Sequence, residues 1–282
     1  MSTPRVTSSR TIEFKDLGAR ARRVRAATVR MAHEGHTSHV ASALSCVDIL
    51  VAIYFHSMRF LPGSPDLQPE DFFVLSKGHG CMAWYATLAE RGFFPPEVLR
   101  EYSKNGGRLA EHPSPDSVPG VEVATGSLGH GLAIASGVAL GRRLDGRPGR
   151  SFAVLSDGEC NEGSIWESAM FAARWKLDNL VAIVDYNKFQ AMGPTAETTA
   201  LAPLAEKWRA FGWETHEVDG HDLPALVRVL DAAPTAVGKP TAIVAHTIKG
   251  KGVSFMEADL EWHYRPPNAA DLERALLEIG AA

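Results

Sequence analysis

Residues 156–190 read SDGECNEGSIWESAMFAARWKLDNLVAIVDYNKFQ. One apolar run, FAVL (152–155), leads into Asp157-Gly158, and a second, LVAIV (180–184), leads into Asp185-Tyr186-Asn187. Between them, residues 162–176 repeat apolar positions at helical spacing: Ile165, Ala169, Ala172 and Lys176, beside Trp166, Met170, Ala173 and Leu177. Strand, helix and strand over thirty residues make one βαβ unit, which sets the strands parallel and brings both strand ends to one edge of a sheet. A carboxylate from Asp157 and an amide oxygen from Asn187 then stand side by side. Hard oxygen donors, few in number, suit Mg2+, which completes its octahedron with waters and phosphate oxygens. Gly158 lets a diphosphate approach the backbone, and the helix starting near Glu162 adds a favourable dipole. Taken alone, the two residues also read as a helix cap and a turn former.

The same grammar recurs along the chain. FFVL (72–75) runs into Ser76-Lys77-Gly78-His79, AIVA (242–245) runs into the glycine-rich residues 246–252, and ETHEV (214–218) supplies a fifth strand. Helices are expected over residues 15–33, 46–58, 80–91, 130–143, 162–176 and 269–279. This alternation predicts an α/β fold: three layers, with a doubly wound, mostly parallel sheet and helices on both faces. One domain is expected over residues 1–282, with an arm over about 1–14 and a helical tail over about 266–282. In such a sheet the strand ends share an edge, so four polar or glycine-rich exits converge on one site. HPSPDSVPGVEVATG (112–126) reads as a surface or active-site loop.

With 282 residues, 45% of them hydrophobic, the chain can bury a sizeable core. Lys+Arg 29 against Asp+Glu 33, a net charge of −4, leaves no footprint for nucleic acid or an anionic membrane. Arg20, Arg22, Arg23, Arg25 and Arg30 alternate with small apolar residues and read as a solvated helix face. Cys46, Cys81 and Cys160 show no metal or disulfide spacing, which fits the reducing cytoplasm. Neither a signal peptide nor an apolar run long enough to span a membrane is apparent, so a soluble cytoplasmic protein is expected.

Asp157, Gly158 and Asn187 together resemble the diphosphate-binding module of thiamine-diphosphate enzymes, whose signature is GDG, some thirty residues, then N; Ser156 replaces the first glycine. HEGHTSHVASALSCVDIL (33–50), LSKGH (75–79), EHPSPD (111–116), TGSLGHG (125–131), DGECNEGSIWE (157–167), AFGW (210–213), VDGHD (218–222), IKGKGVSF (248–255) and EWH (261–263) resemble, in this order, the N-terminal part of transketolase. The resemblance implies thiamine diphosphate held with Mg2+, or Ca2+ or Mn2+ in its place. Asp157 and Asn187 would ligate the metal by side chain and Phe189 by its carbonyl. Gly158, His79, Glu162 and His263 would border the diphosphate, and Gly126, Ser127 and Leu128 the aminopyrimidine. His36 and His112 would hydrogen-bond the sugar's hydroxyls and the developing oxyanion, and His263 could shuttle protons.

Departures from the family pattern are Thr37 for proline after His36, Glu111 for glycine before His112, and His130 where glutamine is commoner. His33, His39, His56, His216, His221 and His246 are expected to be surface or locally bonded residues. The implied reaction moves a two-carbon ketol unit from a ketose or ketose phosphate to an aldose, with the cofactor holding the electrons. In the family, the glutamate that activates the aminopyrimidine lies in a further domain. The resemblance therefore implies the N-terminal subunit of a split transketolase, paired as α2β2 with a C-terminal subunit carrying the pyrimidine domain and that glutamate. Alternatives are the α-subunit of a 2-oxo-acid dehydrogenase or decarboxylase, or a non-catalytic cofactor-binding subunit. The small-residue helix GLAIASGVALG (131–141) suits close packing, at an interface or in the interior.

Overall fold

The computed structural model describes residues 14–61, 69–115 and 117–281. The expected arm over residues 1–14 lies outside these apart from Phe14, and so does Asp116. All five expected strands form: β1 (Phe72–Leu75), β2 (Ser151–Ser156), β3 (Leu180–Tyr186), β4 (Glu214–Asp219) and β5 (Thr241–His246). They pair in the order β1-β2-β3-β5-β4, every neighbour parallel.

Strand side chains alternate between two cores. Phe73, Leu75, Phe152, Val154, Val181, Ile183, Ile243 and Ala245 enter one; Phe72, Val74, Ala153, Leu155, Leu180, Ala182, Val184, Ala242 and Val244 enter the other. Burial on both faces is why the central strands read as continuous apolar runs. The first core is closed by α1 (Phe14–Gly35), α2 (Val40–Ser45), α3 (Val47–Ala52), α4 (Cys81–Arg91), α9 (Leu223–Ala232) and α10 (Ala269–Ile279). The second is closed by α5 (Gly131–Leu144), α6 (Gly163–Arg174) and α8 (Leu204–Ala210), while α7 (Thr195–Thr198) is a short turn in the β3–β4 connection. Three layers result.

The helix expected over 46–58 starts six residues earlier, at Val40. It is interrupted at Cys46 (φ −95°, ψ 4°) and ends in a π turn over Ile53–Ser57. Residues 40–52 are buried on every side, so no amphipathic period marks where this helix begins. In α6, Ile165, Ala169 and Ala172 face the sheet as expected, but Met170 and Lys176 face outward. In α5, Leu132, Ala135 and Ala139 are buried, whereas Ala133 and Gly137 are exposed. Among the described residues no helix is long and apolar enough to cross a membrane.

Chain leaving β2 and β3 passes to the α6 and α8 face, while chain leaving β5 passes to the α10 face. A crevice therefore opens between the strand ends, where such sheets bind ligands.

Candidate active site

At the end of β2, the Asp157 side chain is almost fully buried; its Oδ1 accepts the Gly158 N–H (2.7 Å) and its Oδ2 the Lys188 N–H (2.6 Å). The second bond joins β2 to the turn after β3. Among the described residues Asp157 has no ion-pair partner, and burial, reinforced by the Asp185 charge, pushes its carboxyl up to about 7. Lys188 takes a left-handed conformation (φ 69°), and the turn directs Asn187 Oδ1 to the Phe189 N–H (3.0 Å) and Nδ2 to Ser45 Oγ (3.5 Å). Phe189, half-buried, sits in the same turn. A buried carboxylate without a cation, beside an amide oxygen and a backbone carbonyl, is a donor set suited to a hard cation. Among the described residues no group of three or more His, Cys, Asp or Glu could hold a metal alone. Oxygens from a ligand or water would have to complete the shell. The Ser156 hydroxyl accepts the Glu159 N–H (3.2 Å) and closes this turn, which accounts for serine at the signature's first position.

Beneath the crevice lies a fully buried ion pair. Lys77, from the β1 exit, donates to Asp185 Oδ2 (2.5 Å) and to the Ser42 carbonyl (2.8 Å), and Asp185 also accepts the hydroxyls of Ser45 and Thr247. The pair holds Lys77 above and Asp185 below their usual ranges despite burial. Glu159 plays a similar part on the other side. One of its oxygens takes the Ser76 hydroxyl and the Gly129 N–H (2.8 Å), and the other takes the Ser156 N–H (3.1 Å). Burial raises its pKa.

Above these lie four histidines. The His39 ring centroid is 5.5 Å from that of His79, 6.5 Å from His112 and 4.9 Å from His263, and His79 lies 6.2 Å from His263. His39 has φ 70°, an uncommon conformation for a side chain-bearing residue, and its N–H donates to the His263 carbonyl (2.9 Å). Burial lowers His39 to about 4 and His263 to about 3, and takes His79 well below its usual value, so all three rings are neutral near pH 7. Lys249 Nζ, itself lowered to about 8 by burial, lies 2.8 Å from His263 Nδ1. Donation from the ammonium leaves Nε2 as the protonated nitrogen of His263.

His36 is not in this group. It is exposed, and its ring neighbours His33 at 6.1 Å. The sequence reading chose the wrong member of the HTSH stretch to bring together with His79, His112 and His263: the structure gathers His39. The departure at Thr37 loses its bearing on the crevice, because Thr37 is buried with its hydroxyl 3.8 Å from Met82 Sδ. The other histidines read as local do bond locally: His33 to the Pro267 carbonyl, His56 to Asp231, His216 to Thr235 and His246 to Glu217. Lys77, Lys249 and Asp185 were also missed as site residues. Their signal was the same as for His79: polar side chains at the exits of β1, β3 and β5.

The loop over residues 126–131 closes the crevice on the β1–β2 side. A Cβ on Gly126 (φ 137°) would stand 2.7 Å from His112 Cδ2, and one on Gly129 (φ 85°) would stand 2.3 Å from Ser164 Oγ and 2.7 Å from Glu162 Cβ. Glycine is therefore required at both. Ser127, His130 and Glu162 are exposed on the rim and Leu128 is half-buried. Glu111, exposed, accepts the Ser103 hydroxyl (3.0 Å). Within the 112–126 loop, Val118 and Val121 are buried in the core, so that segment is anchored as well as surface-running.

A family model described as the thiamine diphosphate binding domain of transketolase matches residues 17–281. One of the two subunits of the apulose-4-phosphate transketolase of Phocaeicola vulgatus is 38% identical over 268 residues, covering 95% of each chain. The "6-deoxy-6-sulfo-D-fructose transketolase subunit SqwG" of Clostridium sp. (strain MSTE9) is 42% identical over 248 residues, covering 88% of this chain and 90% of that one. Among solved structures, transketolase from Leishmania mexicana superposes with a TM-score of 0.86 at 27% identity, and that from Campylobacter jejuni with 0.86 at 25%. This chain is covered to 94% and 95% but spans only 41% and 43% of those two. The chain belongs to the transketolase family and forms its thiamine diphosphate binding domain.

Proposed function

We propose that this chain is the diphosphate- and metal-binding subunit of a split transketolase, moving a two-carbon ketol unit from a ketose or ketose phosphate to an aldose. The observation that carries this reading is the buried, cation-free Asp157 joined to the Asn187 turn beneath four clustered histidines. Asp157 and Asn187 by side chain, with the Phe189 carbonyl, would hold Mg2+, which compensates the Asp157 charge and the diphosphate together. When bound, thiamine diphosphate supplies the electron sink for cleaving a carbon–carbon bond. His79 and Lys249 face the diphosphate, with Gly158 and the α6 N-terminus at Glu162 beside it; Gly126, Ser127 and Leu128 border the aminopyrimidine.

His39 takes the sugar-binding role first given to His36. With His112 it donates hydrogen bonds to substrate hydroxyls and to developing negative charge, and His263, protonated on Nε2, stands ready as a donor at both ends. Two relatives matched over nearly their whole length are each named as a transketolase subunit rather than as a whole transketolase. That supports a separate partner bearing the pyrimidine domain and its glutamate, in an α2β2 assembly. Free, buried cysteines fit a cytoplasmic setting.

The test is a calorimetric titration of the complex with thiamine diphosphate, with and without Mg2+. Asp157→Ala is expected to abolish the Mg2+-dependent part while the far-ultraviolet spectrum stays unchanged; unchanged cofactor affinity in that variant would sink the assignment.

A further inference from the structure

His221 lies in the turn between β4 and α9, in the VDGHD stretch (218–222), outside the crevice itself. Its ring makes two bonds of opposite sense. The Ile248 N–H donates to Nε2 (2.9 Å), so Nε2 carries no proton, and Nδ1, 2.8 Å from Asp48 Oδ2, is then the donor. The ring is neutral with its tautomer fixed. Asp48 also receives the Arg25 fork (3.1 and 2.5 Å), and Arg25 Nε donates to the Lys251 carbonyl (3.1 Å). All three side chains are largely buried, at 13%, 6% and 10% exposure.

The network thus grips the β5 exit at Ile248 and Lys251, one position before Lys249 and two after it. Three neighbouring residues of that exit serve the crevice: Thr247 bonds Asp185, Lys249 bonds His263, and the Gly250 N–H reaches the Ala41 carbonyl (2.9 Å) beside His39. A Cβ on Gly220 would meet Thr247 Cγ2 at 2.4 Å, so the β4 turn is pressed against the same segment.

We infer that His221 is a positioning residue: as a neutral acceptor for the Ile248 N–H, it sets where the β5 exit presents Thr247 and Lys249 to the cofactor and to His263. The benefit to the cofactor rests on the reading of the site given above; the hold on the segment does not. Nothing in this geometry brings His221 itself to a reacting atom, so its effect passes through Lys249 and His263.

Two substitutions separate its bonds. Asn ends near the Nδ1 position and can keep the bond to Asp48, while Gln extends its oxygen toward the Nε2 position and can keep the bond to Ile248. Amide exchange in the full chain without cofactor reads the segment directly. His221→Asn is expected to lose protection at residues 248–250, and His221→Gln to retain it. Equal protection in the two variants overturns the inference. Imidazole 15N shifts of the unsubstituted chain need no variant: a bare Nε2 with a protonated Nδ1 is expected, and a proton on Nε2 overturns it. Thiamine diphosphate titrations with Mg2+ and the partner chain complete the test. His221→Asn should weaken binding by ~10-fold or more and His221→Gln by less than ~3-fold, as expected for residues that orient ligand-bearing groups. Equal weakening overturns the positioning role. Failure of the unsubstituted complex to bind would instead overturn the reading of the site, leaving the exchange and 15N results to decide the inference.

Discussion

His36 and His39 are three residues apart, and both have positive φ, 53° and 70°. What separates them is tertiary: the His39 N–H is fastened to the His263 carbonyl and its ring lies among three others, while His36 faces solvent. No local pattern encodes that bond, because His263 is far away in sequence, and so the stretch HTSH left the choice open to error. Asp157 and Asn187 were legible for the opposite reason: the βαβ spacing that aligns them is contained in one continuous stretch. The expected outcome follows the geometry. His39→Ala should lower kcat/KM for the ketose by ~100-fold or more, as for loss of a general acid–base group, and His36→Ala by less than ~2-fold, in steady-state assays at saturating cofactor. The reverse order would return the role to His36. Lys249 gives a pH test. Burial first, and the Lys77 charge second, lower it from 10.5 to about 8, so its contribution to stability is full above 10.5 and is lost as pH falls through 8. Diphosphate favours the ammonium form, so thiamine diphosphate affinity should fall as pH rises past about 8, and Lys249→Met should flatten that dependence between about pH 7 and 9. A parallel slope in the variant would assign the titration to another group.

The strand ends act together because side chains cross between them. Lys77 from the β1 exit neutralises Asp185 near the end of β3, Asp185 takes the Thr247 hydroxyl from the β5 exit, and Glu159 after β2 binds Ser76 after β1. These exits are where sequence and structure agree best, since a buried strand that ends in Ser, Lys, Asp or Asn announces both its end and its edge. Helices were less legible. α8 and α9 were not foreseen, although Asp222 caps α9 through the Ala225 N–H (3.0 Å) and Leu226, Val227 and Leu230 reach the core. Their apolar residues are few per turn and follow polar stretches, so packing against the sheet, rather than sequence period, identifies them. Because Lys77 and Asp185 are wholly buried, removing one charge strands the other. Lys77→Met is expected to cost about 3–5 kcal/mol in denaturant unfolding, whereas Lys77→Met combined with Asp185→Asn should cost clearly less. If the double variant is as unstable as the sum of the two single ones, the coupling is absent and the pair is merely adjacent.

The crevice is built on one side and open on the other. Lys77, Asp185, Glu159 and Asp157 form a buried floor, while His112, Ser127, His130 and Glu162 stand exposed along the rim. The solved transketolases that share this fold are more than twice as long as the part this chain matches. Next to the rim, α5 exposes Ala133 and Gly137, and α6 exposes Met170 and Phe171, with Trp175 just beyond it. Large apolar side chains beside small ones on neighbouring helices form the kind of surface that another chain covers. The glutamate that the family resemblance assigns to the pyrimidine domain would have to reach the crevice from that open side. Turnover should therefore require the partner: the chain alone, with saturating Mg2+ and thiamine diphosphate, is expected to give less than ~1% of the ketol transfer of the mixture, a loss in the range set by removing a catalytic acid–base group. Light scattering of the active mixture should report two copies of each chain. Substituting Met170 and Phe171 by Glu should dissociate the complex and abolish turnover without unfolding this chain, because both side chains already face solvent. Full ketol transfer by the chain alone would overturn the dependence, and an intact complex carrying both Glu substitutions would move the interface elsewhere.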